Sequence, residues 1–270
     1  MPSSGLGVLT FLMLAGVKCI IRHSRRRVVR TVAAHVPPAR ALLPSAVFLS
    51  AAMILTQPLA AQRVVMVHEE PRHRLVHETP DLRVLDVQIQ AGDTTLFHTH
   101  DTPITYVTIG TSSTDQMALG GTWNNTQPKT PPPGRVGAVR AVQSYAERPL
   151  THRVTNVGGT LFRLIAVPSR RRGSVAVATG EMPGEVVAEN RWFRHATVTL
   201  ETGEASDYHT AQAPTVLILT QDGRVAIEHA SGWVTSLEMA GQSAVVSHGE
   251  RYRIRNGGAE TSHVVLVQVR

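Results

Sequence analysis

Two histidines separated by one residue, His98 and His100 in "LFHTHDTPITYVTIG" (96–110), have the most chemistry to offer in this chain. Neutral imidazole is a common metal ligand. In a strand, residues i and i+2 project to the same side, so the two rings converge on one spot. The plain alternative is a solvent-facing pair on an edge strand. Asp101 is the nearest carboxylate, but three residues after His98 it faces the other way unless the strand bulges. The single cysteine, Cys19, lies far upstream. Without it the rest of the chain has no thiolate and no disulfide, and a metal site must be built from histidine and oxygen.

The elements that would position these residues are short strands. "LRVLDVQIQAGD" (82–93) alternates apolar and polar residues up to Gly92, and "ITYVTIG" and "LFRLIAV" behave similarly. "GTWNNTQPKTPPPGRVG" (121–137) is a long Pro/Gly/Asn loop, and "PSRRRGS" (168–174) reads as an exposed linker. No segment sustains helical periodicity, so the expected class is all-β, built as sandwiches or barrels. Superposed glycines reveal a repeat: Gly92-DTTLF-His98-T-His100 lies over Gly203-EASDY-His209-T-Ala211, and "THRVTNVGG" (151–159) lies over "RYRIRNGG" (251–258). The repeat predicts β-domains at 81–168 and 185–270, preceded by a polar connector (62–80) and joined by a linker (169–184). In the connector, His68, His73 and His77 are spaced five and four apart. That spacing has no fixed strand face, and the neighbouring acids and prolines point to solvent.

The chain carries a formal charge of +7, but Lys18, Arg22, Arg25, Arg26, Arg27, Arg30 and Arg40 all lie in an acid-free leader, residues 1–61. The remaining twenty Lys and Arg balance twenty Asp and Glu. The body is neutral, which argues against nucleic acid as a partner. The leader places arginines before an apolar run, "ALLPSAVFLSAAMIL" (41–55), and small residues end at Ala61. This pattern predicts a cleaved export signal and a periplasmic or secreted protein. "SRRRVVR" (24–30) also resembles a twin-arginine motif. A retained membrane anchor, using a further apolar run at 6–21, and an organelle transit peptide are the alternatives.

The two repeated stretches resemble the two motifs of the cupin superfamily, small jelly-roll barrels with a metal or ligand site inside. Gly92, His98, His100, Gly110, His152 and Asn156 match in the first unit, and Gly203, His209, Gly241, Gly249 and Asn256 in the second. The resemblance covers about two-thirds of the chain and implies a bicupin of two tandem jelly-roll β-barrels. It departs from the family in two places. The family glutamate has no counterpart around Pro103 to Thr105, and Ala211 and Tyr252 replace two histidines of the second barrel. The resemblance thus implies a three-histidine site of His98, His100 and His152 in the first barrel and a degenerate second barrel.

Three neutral imidazoles suit one divalent ion, Fe first and Mn, Ni, Cu or Zn otherwise, with positions left for substrate and oxygen or water. The site keeps a charge of +2, which favours a small anionic substrate such as an enolate or carboxylate. Similar three-histidine cupins include iron dioxygenases, and this makes a dioxygenase-like oxidoreductase the leading expectation. A non-catalytic binding module and a Zn- or Mn-dependent isomerase or hydrolase are the rivals. Tyr145 and Glu147, just before His152, are candidates for acid, base or fourth ligand, or are polar residues at a turn. Asn156 and Asn256 read as structural turn residues. Cupins commonly pair through edge strands, so either a homodimer or pairing of the two barrels within one chain is expected.

Overall fold

A computed structural model describes residues 63–124, 127–129, 132–171, 173 and 180–270, all within one compact unit. The expected leader (1–61) lies outside the described residues, as do residues 172 and 174–179 of the expected linker. Among the described residues no helix is long and apolar enough to cross a membrane.

The fold is all-β. The first barrel runs β1 (Val64–Met66), β2 (His73–Glu78), β3 (Arg83–Ile89), β4 (Phe97–His100), β5 (Ile104–Gly110), β6 (Thr114–Ala118), β7 (Val139–Val142), a 3-10 turn (Ser144–Ala146), β8 (Leu150–Asn156) and β9 (Phe162–Pro168). The second runs β10 (Glu185–Glu189), β11 (Phe193–Leu200), β12 (His209–Thr210), β13 (Thr215–Leu219), β14 (Val225–His229), β15 (Val234–Leu237), β16 (Ser243–Val246), β17 (Arg251–Asn256) and β18 (Ser262–Val269). Each barrel closes a four-stranded sheet on a five-stranded one. The orders are β1-β4-β8-β6 and β2-β3-β9-β5-β7 in the first barrel, and β12-β17-β14-β15 and β10-β11-β18-β13-β16 in the second. These are the two tandem jelly rolls that the repeated motifs predict.

Residues 63–80, expected as a connector, are part of the first barrel. β1 pairs parallel with β4, and β2 pairs antiparallel with β3, so both belong to the first barrel. The acids that looked solvated make internal bonds. Glu70 is buried and accepts from the Arg72 and Leu96 amides, and the Arg72 guanidinium binds Asp93 at 2.6 Å.

One turn frame builds both barrels. Gly92 and Gly203 adopt φ of +78° and +77°, a backbone that L side chains disfavour, and their amides donate to Asn156 and Asn256 carbonyls. The fully buried Asn156 side chain donates to the Ile89 and Thr160 carbonyls and accepts from the Gly158 amide. Asn256 does the same with Leu200, Glu260 and Gly258.

The five-stranded sheets explain why several strands are apolar on both faces. On β9, Leu164 and Ala166 face the barrel interior, whereas Ile165 and Val167 point outward. On β18, Val264 and Leu266 fill the second interior, and Val265, Val267 and Val269 point outward. These outward residues form a single buried cluster joining the two barrels, with Phe193, Val216 and Ile218 among its members. Two polar contacts cross the same junction. The Thr105 hydroxyl lies 2.8 Å from His195 Nε2, and Arg163, held on Asp86, donates to the Ala240 carbonyl at 2.9 Å. Gly241 has φ +80°, and a Cβ there would come within 2.7 Å of the Arg163 guanidinium.

Candidate metal centre

β4 and β8 are paired so that His98 lies directly opposite His152, and the two-residue period places His100 on the same inner face. All three are buried in the first barrel. One ring nitrogen from each lies within 4.8 Å of the other two, and His100 Nε2 and His152 Nε2 are 3.1 Å apart.

Their other nitrogens are occupied. His98 Nδ1 donates to the Leu96 carbonyl at 3.1 Å, and His152 Nδ1 donates to the Gln116 side-chain oxygen at 3.2 Å. His100 Nδ1 is held more loosely, 3.5 Å from the Tyr106 hydroxyl. A histidine whose Nδ1 carries the proton presents a bare Nε2 lone pair, the form that binds metal. With both rings protonated at Nδ1, the Nε2 lone pairs of His100 and His152, 3.1 Å apart, oppose each other unless a cation lies between them. Bonds of about 2.1 Å at roughly a right angle would place two imidazole nitrogens about 3 Å apart. The donor set therefore fits, and the three-histidine group could bind a metal.

The electrostatics agree. Burial pushes His98 and His152 down to about 3 and His100 to about 2; neighbouring histidines and the Arg140 charge push His100 and His152 further in the same direction. All three are neutral at pH 7, so a metal has no protons to displace.

The sequence reading missed a fourth ring. His73, assigned there to a solvated connector, is buried at the start of β2, and its ring packs edge-on against His98 with centroids 4.6 Å apart. Its Nδ1 donates to the Val67 carbonyl at 2.8 Å, and burial pushes its pKa down to about 4. His77, four residues on, is exposed. Both lie on β2, and a register shift between Leu75 and His77, which the sequence does not announce, breaks the alternation between them.

The rings border a cavity of about 480 Å³. Val87, Ile89, Val154, Phe162 and Leu164 form an apolar wall, and Tyr106, Gln116, Asn124, Lys129, Arg140 and Tyr145 line the polar remainder. Tyr145 thus reaches the site as one of the two candidates beside His152. Glu147 caps the 3-10 turn, exposed and outside the cavity lining, and Asp101 is exposed as well. Burial raises both tyrosines. Gln116 and Tyr106 were also missed. The only signal for them was a polar atom at an inward position of an alternating strand.

The second barrel keeps the register and changes the residues. His209 lies opposite Tyr252, as His98 lies opposite His152. Tyr252 and Ala211 are buried in a core of sixteen residues that includes Leu217, Leu219, Ile227 and Leu266. The buried phenol thus packs as part of the second barrel's core, at the position where His152 faces the cavity in the first.

Neither a family model nor a curated protein matches the chain. Among solved structures it is similar to a cupin 2 conserved barrel domain protein from Leptotrichia buccalis (11% identity, 73% of this chain, 88% of that one, TM-score 0.45). It is also similar to AerE from Microcystis aeruginosa (9%, 74% and 98%, TM-score 0.49). A salicylate 1,2-dioxygenase from Pseudaminobacter salicylatoxidans is a third (10%, 70% and 72%, TM-score 0.45).

Proposed function

We propose that the first barrel is a mononuclear metal centre and that the protein is a dioxygenase-like oxidoreductase acting on a small anionic substrate, with iron the favoured ion. The observation that carries this reading is the outward bonding of His98, His100 and His152, which leaves three neutral nitrogens facing one point. With no carboxylate among the ligands, a divalent ion there keeps its full charge, which favours an anionic ligand and leaves positions open beside it. When bound, a redox-active ion of this kind supplies Lewis acidity and electron transfer toward oxygen.

The chain's own residues do the rest. Leu96, Gln116 and Tyr106 hold the rings in orientation. The apolar wall excludes water from one side of the substrate. Tyr145, kept protonated by burial, offers its hydroxyl hydrogen to a substrate oxygen.

One observation favours a non-catalytic binding module instead: Asp115 is the only carboxylate lining the cavity among the described residues, so a carboxylate acid–base pair is lacking. The same observation weighs against the isomerase and hydrolase readings. The test is elemental analysis of the purified full chain, followed by oxygen-electrode assays with small carboxylates and enols. About one redox-active metal per chain with substrate-dependent oxygen uptake is expected. A metal without oxygen uptake leaves the binding module, and no uptake of iron, manganese, nickel, copper or zinc on loading overturns the metal centre itself.

A further inference from the structure

The repeat provides an internal control for the cavity. The Asn156 and Asn256 frames align β8 with β17 and β9 with β18, and strand pairing extends the equivalence outward. Tyr106 pairs with Ala166 on β9 and with Arg140 on β7. In the second barrel Leu217 pairs with Leu266 on β18 and with Ala244 on β16. Arg140 therefore occupies the strand position that Ala244 occupies in the second barrel, where Ala244 is buried in the core. Its neighbours confirm its direction. Val139 and Ala141 pack outward on the cluster between the barrels, whereas Arg140 lines the cavity.

Arg140 is thus a cation on the cavity side of the sheet, at the open mouth where its side chain still meets solvent. Its guanidinium stands 4.9 Å over the Tyr106 ring, which covers one face and leaves the hydrogen-bonding edges free. Among the described residues no carboxylate is within ion-pair distance of it, whereas Arg163, also on the five-stranded sheet, is fixed on Asp86. A second cation joins it from the long loop. The buried Ser113 hydroxyl donates to the Lys129 carbonyl at 3.0 Å and accepts from the Lys129 amide at 2.6 Å. This pair of hydrogen bonds to its backbone pins Lys129, itself exposed, at the rim of the same cavity.

We propose that Arg140, backed by Lys129, is the anion anchor of the first-barrel cavity, and that the ligand is a small carboxylate with a flat apolar body. The inference rests on the reading of this cavity as the substrate site and deepens it. A planar carboxylate matches the free edge of a stacked guanidinium in two parallel bonds. The apolar body lies against Ile89, Val154, Phe162 and Leu164, and its far side faces the histidines. Two cations and one carboxylate line the cavity, so a single negative charge on the ligand balances them.

The experiment uses the full chain stripped of metal by chelator dialysis, titrated calorimetrically with benzoate and with neutral benzamide of nearly the same shape. Benzoate is expected to bind at least tenfold more tightly than benzamide. Arg140→Gln should weaken benzoate by about tenfold to a hundredfold and leave benzamide unchanged, the loss typical of one charge-assisted pair. Arg140→Lys should recover part of it, and Lys129→Gln should cost less than Arg140→Gln. Equal binding of the two probes, no binding of either, no response to Arg140→Gln, or inorganic phosphate binding more tightly than benzoate would each overturn the proposal. Because the protein is metal-free here, benzoate selectivity survives a failure of the metal reading. Conversely, a metal-loaded chain without that selectivity sinks only this inference.

Discussion

The two barrels share a frame down to single hydrogen bonds and differ in what they enclose. Asn156 and Asn256 bind equivalent carbonyls and amides, and His98–His152 and His209–Tyr252 are paired in the same register. Inside, the first barrel has three converging imidazoles, two tyrosines and Arg140, which has no carboxylate partner among the described residues, around a cavity, and the second has Ala211, Tyr252, Leu217 and Ala244 in a buried core. The positions that changed are inward-facing strand positions, and they differ as a set. The frame specifies the barrel, and a handful of inward residues decide whether it is hollow and polar or solid.

The sharpest way to break this contrast is metal content. His98→Ala/His152→Ala should abolish metal binding by elemental analysis, and His209→Ala should leave it unchanged. A metal lost in the second variant would mean that the second barrel contributes to the site.

Acid should separate the barrels next. His98, His100 and His152 have folded pKa values of about 3, 2 and 3, below the usual 6.5. Between those limits the unfolded chain binds protons that the folded one does not, so stability is full above about pH 6.5 and falls as pH drops toward 3. Each histidine steepens the loss by about 1.4 kcal/mol per pH unit. In the metal-free protein, hydrogen exchange at pH 5 should therefore deprotect β4 and β8 before β12 and β17. Simultaneous loss would show that the barrels open as one unit.

The frames, in contrast, should respond alike. Asn156→Ala and Asn256→Ala each strand buried backbone groups and should cost about 3 kcal/mol, measured by denaturant unfolding. The smallest effect is expected of Tyr252→Phe. Among the described residues its hydroxyl makes no hydrogen bond, the ring is held by apolar packing, and loss of the hydroxyl should change stability by less than about 1 kcal/mol.

Much of this was legible in the sequence, for reasons that differ by residue. Gly92, Gly203, Asn156 and Asn256 are dictated by backbone geometry, so their types and spacing survive in both units. His98, His100 and His152 stand out because imidazole is rare in an apolar strand. His73 was not legible, because its place depends on β1 and β2 joining a barrel that their own acids and prolines seemed to exclude. Arg140 was hidden by its strand, "VRAV", where one arginine among small apolar residues looks like a solvent-facing position. It is indeed exposed, and only its pairing with Tyr106 shows that it stands on the cavity side of the sheet.

The apolar cluster between the five-stranded sheets bears on how such a chain persists. A barrel with a filled interior could in principle be dispensed with. Here deletion at the linker would leave Val107, Ile165 and Val167 open to water on the outer face of the first barrel. Patches of that kind invite aggregation. The outer face of the second barrel therefore serves the solubility of the first, whatever its interior encloses.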